Sequence, residues 1–274
     1  MDEPRLKLTY IGGPTALLEW GSLRLLTDPT FDPAGEEYRP GSYTLRKTAG
    51  PALSPESVGE VDVVLLSHDH HFDNLDRAGR LFLANATSVL TTPAGAERLG
   101  KNAFGLSRWQ TVSLAAPDGR VLRVTATPAR HGPADHDRGP VTGFAMAFRD
   151  APETVVYVSG DTVWFEGVAQ VRKRFPVAAA LLFMGAAQVP EAGPWHLTLT
   201  AEEGIRAARA FPDAAIVPLH YEGWAHYTES REDIARAFAK AGLETRLCWG
   251  EPGREMDVAV PTGKERRQSR AQGF

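Results

Sequence analysis

The sequence predicts an α/β fold in which two β-sheets stack face to face and helices cover both outer sides, a four-layer αββα sandwich. Up to Thr27 the chain has the pattern of a meander of short strands, and from Val61 onward strands alternate with helices. The strand-like segments are too many for one doubly wound sheet, which favours two stacked sheets. No low-complexity linker or short repeat interrupts the sequence. We therefore predict one domain over residues 1–262 and a polar tail over residues 263–274.

The N-terminal part is predicted to form three strands, Leu6–Ile11, Ala16–Trp20 and Leu23–Thr27, each short and apolar or alternating. Gly21 opens a two-residue hairpin turn of the glycine-first type between the second and third strands. The following stretch, Asp28–Glu60, is rich in proline, glycine and polar residues. A loop of this length in a compact domain is more often functional than a linker, so we expect it to shape a pocket.

The remainder of the chain is predicted to contain strands and helices in turn. The predicted strands are Val61–Leu66, Ser88–Thr91, Val121–Thr127, Gly143–Phe148, Thr154–Ser159, Ala179–Met184, Ile216–Leu219 and a final one at Thr245–Trp249. The predicted helices are Leu75–Ala84, Pro93–Gly100, a segment with Trp164, Val168, Val171 and Phe175 on one face, Thr200–Ala210 and Ser230–Gly242. A capping box, Thr200 to Glu203, opens the fourth of these helices.

The composition excludes several classes of protein. A formal net charge of −4 gives no basic surface for a nucleic-acid backbone, so nucleic acid is not expected as the main ligand. The basic run Lys264–Arg270 lies in the polar tail and is expected to be solvated. Cys248 is the only cysteine, which excludes a disulfide framework. The first ten residues lack a signal peptide's apolar stretch, and no run reaches the roughly 18 apolar residues of a membrane span. We expect a cytoplasmic protein.

Metal-competent side chains follow four different predicted strands. His68 and His70 come directly after the strand that ends at Leu66, and His131, Asp161 and His220 each follow another strand. Loops at the carboxyl edge of such sheets are where α/β proteins bind their ligands. The sequence therefore predicts that these five side chains meet around a metal ion.

This mixture of residue types suits a hydrolytic metal. Neutral imidazole is a ligand that zinc accepts well, and a carboxylate adds charge and can bridge two ions. We expect Asp161 to bridge and Asp73 to face a second ion. An ion with an open position lowers the pKa of bound water from about 15.7 to near 7, which yields a hydroxide nucleophile at neutral pH.

At these residues the chain resembles the metallo-β-lactamase superfamily, most nearly its group of ascorbate-6-phosphate lactonase-like proteins, which are zinc-dependent hydrolases. The resemblance runs from Thr9 to Trp249. The motifs that carry it are SHDHHFDNLD at Ser67–Asp76, PARHGP at Pro128–Pro133, SGDT at Ser159–Thr162, HLTLT at His196–Thr200 and PLHYEGW at Pro218–Trp224. It implies the αββα fold and one or two ions, zinc or alternatively manganese. The implied ligands are His68, His70 and His131 for the first ion and Asp73, Asp161 and His220 for the second, with Asp161 shared.

One motif departs from the superfamily's usual H-x-H-x-D-H run. The carboxylate of Asp73 comes one residue later than usual, and Asn74 stands where the last histidine is expected. The second site therefore loses an imidazole. His71 is the inserted residue, and it either turns inward as a compensating ligand or lies exposed in the turn.

We interpret the chain as a metal-dependent hydrolase whose metal-bound hydroxide attacks an ester-type substrate: a lactone, a phosphorylated sugar derivative or a phosphodiester. Asp73, if it does not bind a metal, is the candidate group to orient the water or accept its proton, and His196 or alternatively His226 is the candidate to protonate the leaving group. Each also has a structural alternative, as a helix cap for Asp73 and as a hydrogen-bonding residue for His196. The rival functions are a metal-dependent oxidoreductase and a non-catalytic sensor of a metal or ligand. A small molecule is the expected partner, with no membrane, and a homo-oligomer is compatible with the sequence.

Overall fold

The computed structural model describes residues 5–260, which form fifteen strands and six α-helices. The strands are β1 (Leu6–Gly12), β2 (Thr15–Trp20), β3 (Leu23–Thr27), β4 (Glu37–Tyr38), β5 (Leu45–Arg46), β6 (Val61–Leu65), β7 (Ala86–Thr91), β8 (Ala103–Gly105), β9 (Thr111–Ala115), β10 (Val121–Pro128), β11 (Thr142–Phe148), β12 (Val155–Val158), β13 (Val177–Phe183), β14 (Ala215–Leu219) and β15 (Glu255–Val258). The helices are α1 (Pro55–Val58), α2 (Arg77–Phe82), α3 (Pro93–Leu99), α4 (Glu166–Arg174), α5 (Ala201–Ala210) and α6 (Arg231–Lys240). None of these helices is long and apolar enough to cross a bilayer. The predicted tail over residues 263–274 lies outside the described residues.

Two sheets carry the fold. The first has the order β15-β1-β2-β3-β6-β7-β8, and the second has the order β14-β13-β12-β11-β10-β9. Antiparallel pairing from β15 through β3 gives way to parallel pairing from β3 through β8. The hairpin between β2 and β3 turns at Gly21, whose φ of 64° allows the tight reversal that the sequence predicts.

The sheets face each other across one apolar core, and helices cover their outer faces. Leu8 and Leu25 of the first sheet meet Phe144 and Leu181 of the second in this core. A second apolar cluster lies between the outer face of the second sheet and helices α4, α5 and α6. A third lies between the first sheet and α1 and α2, where Phe82 is buried. The predicted αββα sandwich is therefore confirmed.

The strands that matter for the site end at the same edge. β6 runs parallel to its neighbours β3 and β7. β12, β13 and β14 are mutually parallel, and β10 runs in their direction because two antiparallel pairings separate it from β12. A hydrogen bond from the Thr142 amide to the Ser67 carbonyl, 3.1 Å long, joins the two sheets at this edge.

The final predicted strand, Thr245–Trp249, is wrong. A 3-10 turn occupies Glu244–Arg246, and only an isolated bridge from Leu247 reaches Ile216 of β14. The Arg246 guanidinium explains the difference, because it donates to three backbone carbonyls at the end of α5 and in the loop that follows. The chain's last described strand is instead β15, which pairs with β1.

The long segment between β3 and β6 is not structureless. It contains the short hairpin of β4 and β5 and the single-turn helix α1. Within it, the buried Lys47 ammonium lies 2.7 Å from a carboxylate oxygen of Asp76, which is also the N-cap of α2. This buried ion pair fixes the segment against the helix that follows the histidine motif.

Candidate metal centre

The four strand ends deliver their side chains to one place, as the sequence predicts. His68 follows β6, His131 follows β10, Asp161 follows β12 and His220 follows β14, and all four are buried. His220 has a φ of 58°, uncommon for a residue with a side chain. Its amide donates to the Gly13 carbonyl at 2.7 Å, so the β1–β2 turn holds this conformation.

Three imidazole nitrogens converge at the centre of this edge. Nδ1 of His71 lies 2.9 Å from Nε2 of His68 and 3.1 Å from Nε2 of His131. The inserted residue of the motif has therefore turned inward. It occupies the position between the two histidines that come from opposite sheets.

The outer nitrogens of two of these rings fix their tautomers. Nδ1 of His131 donates to the Leu197 carbonyl at 2.9 Å, which leaves a lone pair on its Nε2. Nδ1 of His68 lies 2.9 Å from the Ser67 hydroxyl, which itself donates to Asp28 at 2.6 Å. The hydroxyl oxygen thus accepts from Nδ1, and Nε2 of His68 also presents a lone pair. One hydrogen on His71 can satisfy only one of them.

His70 lies at the side of this group. Its Nε2 donates to the Arg138 carbonyl at 3.0 Å, and its Nδ1 is buried without a hydrogen-bond partner. Ligand atoms of His68, His70 and His71 lie within 4.8 Å of one another. Of the predicted trio, the structure brings His68 and His131 to His71, with His70 adjacent to them.

The predicted second group is also brought together. Ligand atoms of Asp73, Asp161 and His220 lie within 4.8 Å of one another. Nδ1 of His220 is 3.3 Å from one oxygen of Asp161, and Nε2 of His220 is 3.7 Å from Asp73. The other oxygen of Asp161 lies 3.5 Å from Nε2 of His131, so this carboxylate stands between the two groups.

Asp73 and Asp161 are not used as helix caps. The N-cap of α2 is Asp76, and the N-cap of α4 is Phe165. Both carboxylates are therefore available to the cluster.

His226 also contacts the cluster, in addition to the histidines of the SHDHHFDNLD motif, in which Asn74 replaces the usual last histidine. Nε2 of His226 lies 3.0 Å from a carboxylate oxygen of Asp73, and the His226 side chain is only 9% exposed. The sequence suggested His226 only as an alternative acid for the leaving group and not as a partner of Asp73, since its only signal is its nearness to the PLHYEGW motif. Asn74 directs its amide nitrogen to Asp161 at 3.2 Å, which leaves its oxygen buried without a partner.

Electrostatics keep the imidazoles in the ligating form. Burial, followed by repulsion from neighbouring histidines, holds the pKa of His68 and of His71 well below the usual value. Burial also lowers the pKa of His131 to about 4 and that of His220 to about 3. All four rings are neutral at pH 7, as metal ligation requires.

The two carboxylates shift in opposite directions. Burial, and then the charge of Asp73, raises the pKa of Asp161 well above its usual value. Burial also acts to raise the pKa of Asp73, but the bond from His226 and the nearby His220 outweigh it and hold that pKa well below the usual value. A cation beside Asp161 would offset the repulsion between the two carboxylates.

A small cavity of ≈ 20 Å³ lies over the cluster. His71, Asp73, His131 and His226 line its polar side. The apolar side is formed by Leu45, Ala187, Val189 and Leu197, and the lining is completed by Tyr43 and Arg138.

His196, predicted as the acid for the leaving group, does not line this cavity. Its Nε2 lies 3.1 Å from a carboxylate oxygen of Glu203, in the first turn of α5, and its side chain is 39% exposed. The hydrogen bond that His196 donates to the Glu203 carboxylate raises the pKa of His196. His196 therefore has a structural hydrogen bond, which was the alternative to a catalytic role. Its role as the acid for the leaving group stays a prediction.

Comparison with known proteins agrees with the geometry. A family profile described as the beta-lactamase superfamily domain matches residues 23–221. A UPF0173 metal-dependent hydrolase of Caldivirga maquilingensis is 26% identical over 215 residues, covering 76% of this chain and 86% of the relative.

Two solved structures show the same fold. A possible metal-dependent hydrolase from Veillonella parvula superposes with a TM-score of 0.79 at 20% identity, covering 93% of this chain and 100% of that one. The isothiocyanate hydrolase from Delia radicum gut bacteria gives a TM-score of 0.77 at 24% identity, covering 91% and 98%. The two superpositions show that the chain has the metallo-β-lactamase fold. The profile match covers most of the chain and every residue of the cluster except His226, so the chain belongs to the beta-lactamase superfamily domain family.

Proposed function

We propose that this protein is a metal-dependent hydrolase that acts on an ester-type substrate at the His–Asp cluster. The observation that carries the proposal is the convergence of three imidazole nitrogens, at 2.9 and 3.1 Å, beside a buried carboxylate. Nε2 of His68 and Nε2 of His131 both present lone pairs to Nδ1 of His71, and a single N–H there can donate to only one of them. A cation satisfies such an arrangement, whereas hydrogen bonds among the rings do not.

The residues present fit one or two divalent ions. His68, His71 and His131 would hold the first, with Asp161 between the sites, and Asp73, Asp161 and His220 would hold the second. One oxygen of Asp161 and Nδ1 of His220 are buried without hydrogen-bond partners, as expected of ligand atoms. His70, which the family resemblance implies as a ligand of the first ion, lies beside this group with its Nδ1 unpartnered and is the alternative to His71. The nitrogen and oxygen donors suit zinc, with manganese as the alternative.

A divalent cation bound there would act as a Lewis acid and lower the pKa of a water molecule toward 7. The chain's own residues then orient the reaction. Asp73 is ionised because its pKa is held low, so with only the first ion bound its carboxylate can orient the attacking water or accept its proton. His226 fixes the orientation of Asp73 through the 3.0 Å contact. The apolar side of the cavity limits the access of bulk water.

The ester class rests on the family resemblance, and the hydrolytic reaction has the additional support of a named relative. The motifs resemble those of the ascorbate-6-phosphate lactonase-like group, which favours a lactone, a phosphorylated sugar derivative or a phosphodiester. The relative from Caldivirga maquilingensis is named a metal-dependent hydrolase, which favours hydrolysis over the oxidoreductase and sensor alternatives. His196 is retained as the predicted acid for the leaving group.

Metal analysis and turnover together test the proposal. Purified protein should carry zinc or manganese and should hydrolyse at least one of a panel of 4-nitrophenyl esters, lactones and phosphodiesters. His68→Ala and His131→Ala should each abolish tight metal binding and turnover, with an unchanged far-UV circular dichroism spectrum. Iron in place of zinc or manganese would favour the oxidoreductase. Tight metal binding without turnover on the panel would favour the sensor.

A further inference from the structure

Arg138 is tied to the cluster by its backbone. Its amide donates to the His131 carbonyl at 3.0 Å, and its own carbonyl accepts from Nε2 of His70 at 3.0 Å. The position of Arg138 is therefore fixed by the same loops that position the histidines. Its side chain lines the cavity over His71 and Asp73.

The charge of this side chain is not neutralised by a carboxylate. Among residues 5–260, no carboxylate oxygen lies within 4.0 Å of the Arg138 guanidinium, so it forms no ion pair there. By contrast, Arg98 at the neighbouring pocket is paired with Asp69. One nitrogen of Arg138 donates to the Tyr43 hydroxyl at 3.2 Å, and the guanidinium lies 5.4 Å from the centre of the Tyr43 ring.

Tyr43 adds a second donor at the same place. Its hydroxyl oxygen accepts from Arg138, so its hydrogen is free to be donated elsewhere. Both residues are partly exposed, whereas the apolar residues of the cavity are buried. Tyr43 and Arg138 therefore lie on the solvent side of the cavity.

We propose that Arg138 and Tyr43 bind an anionic oxygen group, a carboxylate or a phosphate, that the substrate carries beside its reacting ester. This inference rests on the proposed function and names the substrate class for the same site. A guanidinium offers a planar fork of N–H donors that matches both kinds of oxyanion. Divalent ions held by Asp73 and Asp161 would offset the negative charge of those carboxylates, which leaves Arg138 as a net positive charge at the entrance.

Two esters that differ by one charged group test the proposal on the metal-loaded full chain. They are 4-nitrophenyl butyrate and the mono-4-nitrophenyl ester of succinate, which carries a terminal carboxylate in place of a methyl group. Arg138→Met should lower kcat/KM for the succinate ester at least tenfold relative to kcat/KM for the butyrate ester, mainly by raising KM for the succinate ester. Tyr43→Phe should act in the same direction with a smaller effect. Arg39→Met is the matched control, because it removes the same charge from an exposed arginine that is paired with Glu37.

Equilibrium binding gives a readout that does not need turnover. Succinate and glycerol phosphate are each titrated calorimetrically into the metal-loaded wild type, Arg138→Met and Arg39→Met. At least tenfold weaker binding of either anion to Arg138→Met alone supports the anion site, and the anion with the larger loss identifies the carboxylate or the phosphate as its ligand.

The outcomes separate this inference from the proposed function. Unchanged anion binding in Arg138→Met, or equal losses for the two esters, overturns the anion site even if the wild type hydrolyses both esters. If no ester, lactone or phosphodiester is hydrolysed while anion binding still depends on Arg138, the anion site stands and the hydrolase proposal fails.

Discussion

At the scale of single residues, His71 and His70 are adjacent in sequence but differ in what their nitrogens contact. Nδ1 of His71 faces the Nε2 atoms of both His68 and His131, whereas Nε2 of His70 is bound to a carbonyl oxygen. Removing the ring at the centre of the group should therefore cost more metal affinity than removing the ring beside it.

We expect His71→Ala to weaken metal binding by at least about 100-fold. Losing a residue that only hydrogen-bonds a metal ligand costs up to about 100-fold in metal affinity, and losing a ligand itself should cost at least as much. His70→Ala should weaken it by no more than about tenfold, since that ring supports the loop of Arg138. Competition with a chromogenic chelator measures both affinities. If His70→Ala loses the metal and His71→Ala keeps it, Nδ1 of His70 is the ligand and the arrangement of the rings changes on metal binding.

The residue scale also shows how far sequence reasoning reaches. Residues at strand ends could be predicted, because the strands fix where His68, His131, Asp161 and His220 emerge. The orientation of neighbouring histidines within the loop depends on contacts with distant carbonyls, such as that of Arg138, which no local pattern encodes. The contact of His226 with Asp73 was not predicted for the same reason, since it spans 153 positions of the chain.

At the scale of elements, capping patterns predicted helix starts well. The capping boxes at Thr200 and Ser230 both form, and they begin α5 and α6. The start of α2 depends on Asp76, whose two oxygens also accept from the amides of Phe31 and Asp32 and pair with Lys47. These contacts come from residues distant in the sequence, so local patterns do not reveal that Asp76 is the N-cap. The sequence therefore predicted a helix start at Leu75, two residues too early.

The packing of α2 on this loop leads to a prediction at Gly79. A Cβ added there would lie 1.8 Å from the Pro29 carbonyl oxygen, and backbone cannot move aside as a side chain can. The steric clash in Gly79→Ala should cost at least about 3 kcal/mol, the upper end of the usual cost of overpacking. Because the gain in helix propensity is only roughly 1 kcal/mol, the free energy of unfolding should fall. Urea denaturation measures the change.

Gly204→Ala in α5 is the matched control. Its nearest neighbour would be the terminal methyl of Met184 at 2.4 Å, the flexible end of a side chain. The repacking cost and the gain in helix propensity should then leave stability within about 1 kcal/mol of wild type. Equal losses in the two variants would show that α2 can shift away from Pro29.

At the scale of the whole molecule, the cluster lies across the junction of the two sheets. β6 of the first sheet supplies His68 and the loop that carries His71 and Asp73, and the second sheet supplies the other candidate ligands, His131, Asp161 and His220. Elsewhere the sheets meet through apolar side chains, whose contacts are not directional. A metal ion would therefore act as a link between the sheets, and the unfolded chain cannot present its ligands in this arrangement.

Metal binding should accordingly stabilise the fold. At a free metal concentration about 100 times Kd, the gain is about 2.7 kcal/mol, which corresponds to a rise of roughly 5–10 °C in Tm for a chain of this size. Scanning calorimetry of the metal-free protein with and without zinc measures the shift, and a chelator should reverse it. His131→Ala should have a metal-free Tm within a few degrees of wild type and should lose the response to zinc, because the second sheet then contributes one ligand fewer to the ion. A wild-type Tm that is insensitive to zinc and manganese would contradict the metal site itself, whatever esters the protein hydrolyses.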